Sequence, residues 1–156
     1  MLREEATMAQ VTVSNQIGAP IDRVFQTFTD LDHGPAHVSG IKKLDVLTPG
    51  PVHAGTRWLE TREVMGHLDT AEMEITAFER NRMYTITHRK AGVRINTTFW
   101  FEPAADGTKV TVEFDLDSGG FSPALLTPLG RAIGGMVERV LTHDLADLKR
   151  SIAREG

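Results

Sequence analysis

Cysteine is absent from all 156 residues. That excludes a disulfide framework, a thiolate metal site and a cysteine nucleophile. No run of Lys or Arg exceeds two, and the net charge is −4. A nucleic-acid footprint or a polybasic membrane patch is therefore not expected. No apolar run approaches the roughly 20 residues of a membrane helix, so stable membrane insertion is not expected either. The start, "MLREEATMAQ", lacks the apolar stretch of a signal peptide, which makes a cytoplasmic location the default. There is no P-loop, no G-x-G-x-x-G and no G-x-S-x-G, so neither a nucleotide cofactor nor serine hydrolysis is indicated. No cofactor is expected. Repeats, low-complexity segments and linkers are also missing.

What remains has the composition of an ordinary globular protein: 40% hydrophobic and 24% charged residues. Residues 1–8 are polar and expected to be loose, with Met8 a second candidate start. Residues 9–156 read as one domain, long enough for a sizeable core.

"QVTVSNQI" (10–17) alternates and is β-branched, which predicts a strand. After "GAP" the period changes. Pro20 suits a first helical turn, and Val24, Phe25, Phe28 and Leu31 form one stripe. "DHGPAHVSG" ends that region and leaves room for a short second helix. "IKKLDVLT" (41–48) is another strand. Five more strand-like runs follow at about 56–65, 68–78, 82–90, 93–102 and 108–117. Their links are short, as between antiparallel neighbours. Ser122-Pro123 marks the start of a helix, and Leu126, Leu129, Ile133, Met136, Val137, Val140, Leu141, Leu145, Leu148 and Ile152 continue it to about Arg154. Gly134-Gly135 costs that helix roughly 1 kcal/mol per glycine relative to alanine. A tolerated kink, close packing on the sheet, or a bend that opens a cavity would each account for the pair. The order of elements is that of an α+β domain, one antiparallel sheet with helices on one side.

Hairpin turns set register, and register sets faces. Turns centred on Gly66-His67, Arg80-Asn81 and Ala91-Gly92, with a last link at "PAADG", place Glu60 opposite Met73, Ile75 opposite Ile86, Tyr84 opposite Phe99 and Thr97 opposite Phe114. One face then collects Trp58, Glu60, Arg62, Met73, Ile75, Tyr84, Ile86, His88, Thr97, Phe99, Val112 and Phe114. The other is almost wholly polar, with Leu59 and Trp100 as exceptions. The apolar face must meet the long helix. Glu60 and Arg62 therefore point inward, where an unpaired charge is expensive. Two residues apart on one face, they can pair. In this register Glu60, Met73 and His88 form a row, with Glu60 and His88 backbones roughly 10 Å apart. Two readings stay open: a salt bridge at the mouth of a solid core with an idle His88, or a polar cluster around a ligand.

The pattern resembles the SRPBCC or START-like helix-grip superfamily, in its polyketide cyclase/dehydrase-like branch. The carrying stretches are "VSNQIGAPIDRVFQTFTD", "GTRWLETREVMG", "FWFEPAADGTKVTVEF" and the long C-terminal helix. The pattern they belong to runs from Val11 to Ile152, about nine-tenths of the chain. The resemblance implies a seven-stranded antiparallel sheet curled around that helix, two short helices after the first strand, and a hydrophobic cavity. Many members bind lipids, sterols, polyketides or plant hormones, and some shape a polyketide chain. Cyclases of this kind place an Arg or other polar group on the inward faces of the fourth and fifth strands. The matching residues here are Ile75 and His88, and Ile75 departs from that pattern. "DHGPAHV" also lacks the Trp many members carry after the first helix.

Three functions compete. The first is a carrier or sensor of a small hydrophobic molecule. Trp58, Met73, Ile75, Tyr84, Ile86, Thr97, Phe99, Val112, Phe114, Ile133 and Val137 would line its pocket, and Glu60, Arg62 and His88 would orient the ligand. The second is a cyclase/dehydratase-type enzyme with Glu60 or His88 as general acid or base and Tyr84 as proton donor. The third is a chaperone-activator-like interaction module, suggested by the outward Trp100 and Leu59. His33 and His37, four apart, are read as loop histidines rather than metal ligands. Asp144 and Asp147 are read as part of a solvated helix face. A homodimer through an edge strand or the outer helix face is left open.

Overall fold

The computed structural model describes residues 11–117 and 128–155. Seven strands run in chain order: β1 (Val11–Ile17), β2 (Ile41–Val46), β3 (Arg57–Val64), β4 (His67–Glu79), β5 (Met83–Lys90), β6 (Val93–Ala104) and β7 (Gly107–Asp117). Helix α1 (Ile21–Phe28) follows β1, then a 3-10 turn at Leu31–His33 and a short helix α2 (Gly34–His37). The long helix α3 spans Pro128–Glu155. The strands form one antiparallel sheet in the order β1-β7-β6-β5-β4-β3-β2. This is the α+β helix-grip architecture. The expected helix start at Ser122-Pro123, and the loose segment 1–8, lie outside the described residues.

The three hairpins from β4 to β7 pair mostly as the turns predict. Ile75 faces Ile86, Tyr84 faces Phe99, and Thr97 faces Phe114. Ala91 and Gly92 both have positive φ (54° and 79°), the two-residue turn whose twist suits a hairpin. Two corrections apply. The β3–β4 turn is Met65-Gly66, with φ of 51° and 82°, and not Gly66-His67. Glu60 therefore faces Ala71, and Met73 faces Trp58. The slip is two residues, a full side-chain period, so no side chain changes face. A bulge also interrupts β4 between Ile75 and Ala77 and brings Phe78 opposite Tyr84.

Pro20 is extended and stands at the N-cap of α1, one residue before the helical position expected for it. Val24, Phe25 and Phe28 are buried on the sheet. Phe25 meets Phe78, Tyr84 and Phe101 edge-on, at centroid distances of 5.6, 5.9 and 4.9 Å. Each such buried side chain contributes about 1.5–3 kcal/mol. The tip of the β6–β7 hairpin locks onto the β1–α1 link. Thr108 donates to the Ala19 carbonyl at 2.8 Å. A Cβ on Gly107 (φ 148°) would lie 2.1 Å from the Ile17 carbonyl oxygen. Only glycine fits there, which gives "DGT" a purely structural role.

Threonine pairs cross the outer face at Thr61–Thr70, Thr76–Thr87 and Thr85–Thr98. Trp100 belongs to the same surface. Its indole donates to Glu113 at 3.0 Å, and Arg82 lies 5.9 Å from its ring centroid, within cation–π range. On α3, Gly134 would bring a Cβ only to 4.0 Å from Val11, and Gly135 to 3.7 Å from Arg139. Both are ordinary contacts, and the helix runs unbroken through the pair.

Candidate functional site

Alternation along β3 turns Trp58, Glu60 and Arg62 to one side, and that side meets α3. Glu60 is only 8% exposed, so its carboxylate needs partners. Oε1 accepts from Trp58 Nε1 at 3.1 Å, and Oε2 accepts from Arg62 Nε at 2.8 Å. The other end of the guanidinium reaches across to α3. There Nη1 and Nη2 donate to Asp144 Oδ1 and Oδ2 at 3.3 and 2.9 Å. Gly40 lets the arginine pass, since a Cβ there would lie 3.0 Å from Nη1. One cation thus ties two carboxylates from opposite layers of the fold.

Asp144 is a correction to the reading of α3 as an apolar stripe with a solvated polar face. It lies three residues after Leu141 and four before Leu148, on the same inward side. The spacing was legible, but a charge at such a position reads as exposed until its partner is known. Asp147 is a second correction. It is buried, accepts from the Ser39 N–H and hydroxyl at 2.9 and 2.7 Å, and pairs with Arg150.

Environment sets the protonation states. Burial works to lower the Arg62 pKa, but Asp144 and Glu60 outweigh it and leave the group raised. Burial pushes the Asp144 carboxyl above its ordinary value, and Arg62 offsets that only in part. Burial lowers the His88 pKa against the pull of Glu60, so the imidazole is neutral at neutral pH. Burial raises the Tyr84 phenol. Its hydroxyl donates to the Phe28 carbonyl at 3.3 Å while its ring stacks on Phe99 at 4.7 Å. His88 is half-buried and makes no side-chain hydrogen bond among the described residues.

Between the sheet and α3 lies a cavity of about 370 Å³. Trp58, Glu60, Arg62, Met73, Tyr84, Ile86, His88, Thr97, Phe99, Val112, Phe114 and Val137 reach its wall. Ile75 and Ile133 do not. Ile75 is packed into the solid part of the core beside Trp58, where its backbone pairs with Thr56 and Gly55. Ile133 is 43% exposed. Sequence reasoning missed other parts of the wall, among them Phe28 and Leu31 from the α1 region, Ile41 and Leu44 from β2, and Leu141, Asp144, Leu145 and Leu148 from α3. The apolar stripes contained most of these residues, but a stripe does not say which members touch empty space.

The expected row of Glu60, Met73 and His88 is replaced, because Glu60 is beside Ala71. His33 and His37 both turn to Asp30, each with a ring nitrogen 2.9 Å from Oδ2. The other His37 nitrogen lies 2.6 Å from Ser151 Oγ. A Ser–His–Asp chain results, but Ser151 is 5% exposed and does not reach the wall of this cavity. It ties α2 to α3 and presents no nucleophile. Among the described residues no group of three or more His, Asp or Glu is placed to hold a metal ion. No helix among them is long and apolar enough to cross a membrane.

A family model described as polyketide cyclase / dehydrase and lipid transport matches residues 8–153. A search of curated proteins finds no match. Among solved structures, the chain is similar to TTHA0849 from Thermus thermophilus, at 18% identity over 94% of this chain and 98% of that one, with a TM-score of 0.76. It is also similar to MLL2253 from Mesorhizobium loti, at 20% identity, 94% and 98% coverage and a TM-score of 0.69. A START superfamily protein from Mycobacterium smegmatis matches at 11% identity, with 94% and 98% coverage and a TM-score of 0.71. At these identities the likeness is one of fold.

Proposed function

Since the chain belongs to the polyketide cyclase / dehydrase and lipid transport family, we propose that it binds a small hydrophobic molecule in the cavity between sheet and α3, as a carrier or sensor in the cytoplasm. The observation that supports this most is the cavity itself. Its volume of about 370 Å³ falls within the range of small-molecule sites. Its wall is mainly apolar, with a few convergent polar groups, the composition that buries a ligand and fixes its orientation. The polar groups of the cavity divide by availability. Glu60 is occupied by Trp58 and Arg62, and the Tyr84 hydroxyl by the Phe28 carbonyl. Among the described residues, His88 and the Thr97 hydroxyl on the wall have no side-chain hydrogen bond.

A second reading rests on that same free imidazole. A neutral, unpartnered histidine at a cavity wall suits a general base. If the protein catalyses a cyclase- or dehydratase-type reaction, His88 carries the proton transfer, since Glu60 and Tyr84 are held by other partners. The interaction-module reading has lost its main support, because Trp100 is satisfied within the sheet surface.

Native mass spectrometry of the purified protein, followed by extraction, tests the first reading. A stoichiometric apolar adduct is expected, and it should be lost when Ala71 at the wall is replaced by Trp. An adduct retained unchanged by Ala71→Trp would place binding elsewhere and overturn the proposal. Once a bound molecule is identified, His88→Ala separates the two readings. Binding kept with turnover abolished supports the enzyme; no turnover by either protein supports the carrier.

A further inference from the structure

We propose that the cavity selects an apolar molecule whose polar end donates hydrogen bonds, a hydroxyl or an ammonium, and rejects one ending in a carboxylate or phosphate. This rests on the cavity being the ligand site and adds the chemistry of the ligand's polar end.

The argument starts from the charges on the wall. Among the described residues, four carboxylates reach it, from Asp30, Glu60, Asp69 and Asp144, against two permanent cations, Arg62 and Lys90. Neither cation is free. Lys90 is paired with Asp69 at the rim. Arg62 spends Nε on Glu60 and both terminal nitrogens on Asp144. Asp30 is engaged by the two histidines.

Beside the Lys90–Asp69 pair, the charged part of the wall is therefore one guanidinium shared by two carboxylates. An anionic ligand end would have to leave water without gaining a cation, and it would face like charge. Burying an ion on those terms is strongly unfavourable. A donor end meets the opposite conditions. Carboxylate oxygens accept through more lone pairs than Trp58 and Arg62 occupy on Glu60. His88, neutral and without a side-chain hydrogen bond among the described residues, can accept as well through its unprotonated nitrogen. Among the described residues, the one forked cation on the wall, Arg62, is already engaged and cannot serve carboxylate or phosphate recognition.

The test compares three ligands with one chain: decylamine, 1-decanol and decanoate. Each is titrated near pH 7.5, below its micelle-forming concentration, against the neutral dye N-phenyl-1-naphthylamine bound to the protein. The amine and alcohol are expected to displace the dye at least about tenfold more tightly than decanoate, given the cost of an unpaired buried anion. Decanoate binding as tightly as either would overturn the inference and leave the apolar site standing. Failure of the dye and all three ligands to bind would overturn the site reading, and this inference with it. The amine against the alcohol then tells which donor end is preferred.

Asp144→Asn removes one of the two partners of Arg62. It should bring decanoate closer to the alcohol, and an unchanged ratio would overturn the assignment to this cluster. Glu60→Gln serves the same purpose if Asp144→Asn fails to fold, and the wild-type series decides the matter without either variant.

Discussion

Replacing Arg62 by Met tests whether the ion cluster is desolvated. The substitution keeps most of the apolar stem and removes only the cation. Glu60 and Asp144, with side chains 10% and 15% exposed, would then face each other without a counterion. Breaking a buried pair in this way costs about 3–5 kcal/mol. The Arg62 side chain is 26% exposed, so water would compensate part of the loss, and a cost of about 2–3 kcal/mol is expected. For a chain of this size that lowers Tm by about 5–10 °C.

The cost must also depend on pH. Burial already raises the Asp144 carboxyl and Arg62 opposes that rise, so without the cation Asp144 titrates further above its unfolded value. The folded state then binds more protons in that window, and stability falls as pH rises through it. The deficit of the variant should be smaller at pH 5 than at pH 8. Urea unfolding at both values reads this directly. A deficit below about 0.5 kcal/mol, or one equal at both pH values, would mean that the carboxylates are already hydrated. The reasoning that makes the cavity anion-averse would lose its basis.

Three further perturbations probe other parts of the fold. Gly107→Ala should cost at least about 2 kcal/mol in urea unfolding, because its Cβ would fall 2.1 Å from the Ile17 carbonyl oxygen; a neutral result would mean the hairpin tip does not rest on the β1–α1 link. Tyr84→Phe should lose about 0.5–1.5 kcal/mol for the bond to the Phe28 carbonyl, with near-ultraviolet circular dichroism unchanged, and a larger loss would point to a role beyond that bond. Asp147 is held below its ordinary 3.8: burial opposes this, but the Ser39 N–H and hydroxyl, His143 and Arg150 outweigh it. Its contribution is therefore present above the unfolded pKa and lost as pH falls through the folded one. Asp147→Asn should be about 1–2 kcal/mol less stable than wild type at pH 6, a gap that closes in acid; a gap that persists near pH 2 would refute the linkage.

Strand faces were legible in the sequence because the side-chain period of a strand is two. Even the β3–β4 turn, misplaced by one residue, left Trp58, Glu60 and Arg62 pointing inward. The family pattern was carried by local features with local causes: the proline before α1, the glycine that must pass under a carbonyl, and the alternation of β6 and β7. Glu60–Arg62 pairing followed from spacing along one strand.

Asp144 was out of reach, because its partner stands 82 residues away and its sequence neighbours gave no reason to bury a charge. Ile75 and Phe99 likewise read alike, as apolar residues on one face, yet one sits in solid core and the other lines the cavity. Periodicity decides which way a side chain points, a property of the backbone a few residues either side. Whether that side chain meets another atom, a counterion or empty space depends on how far two layers stand apart. Only their tertiary packing sets that distance.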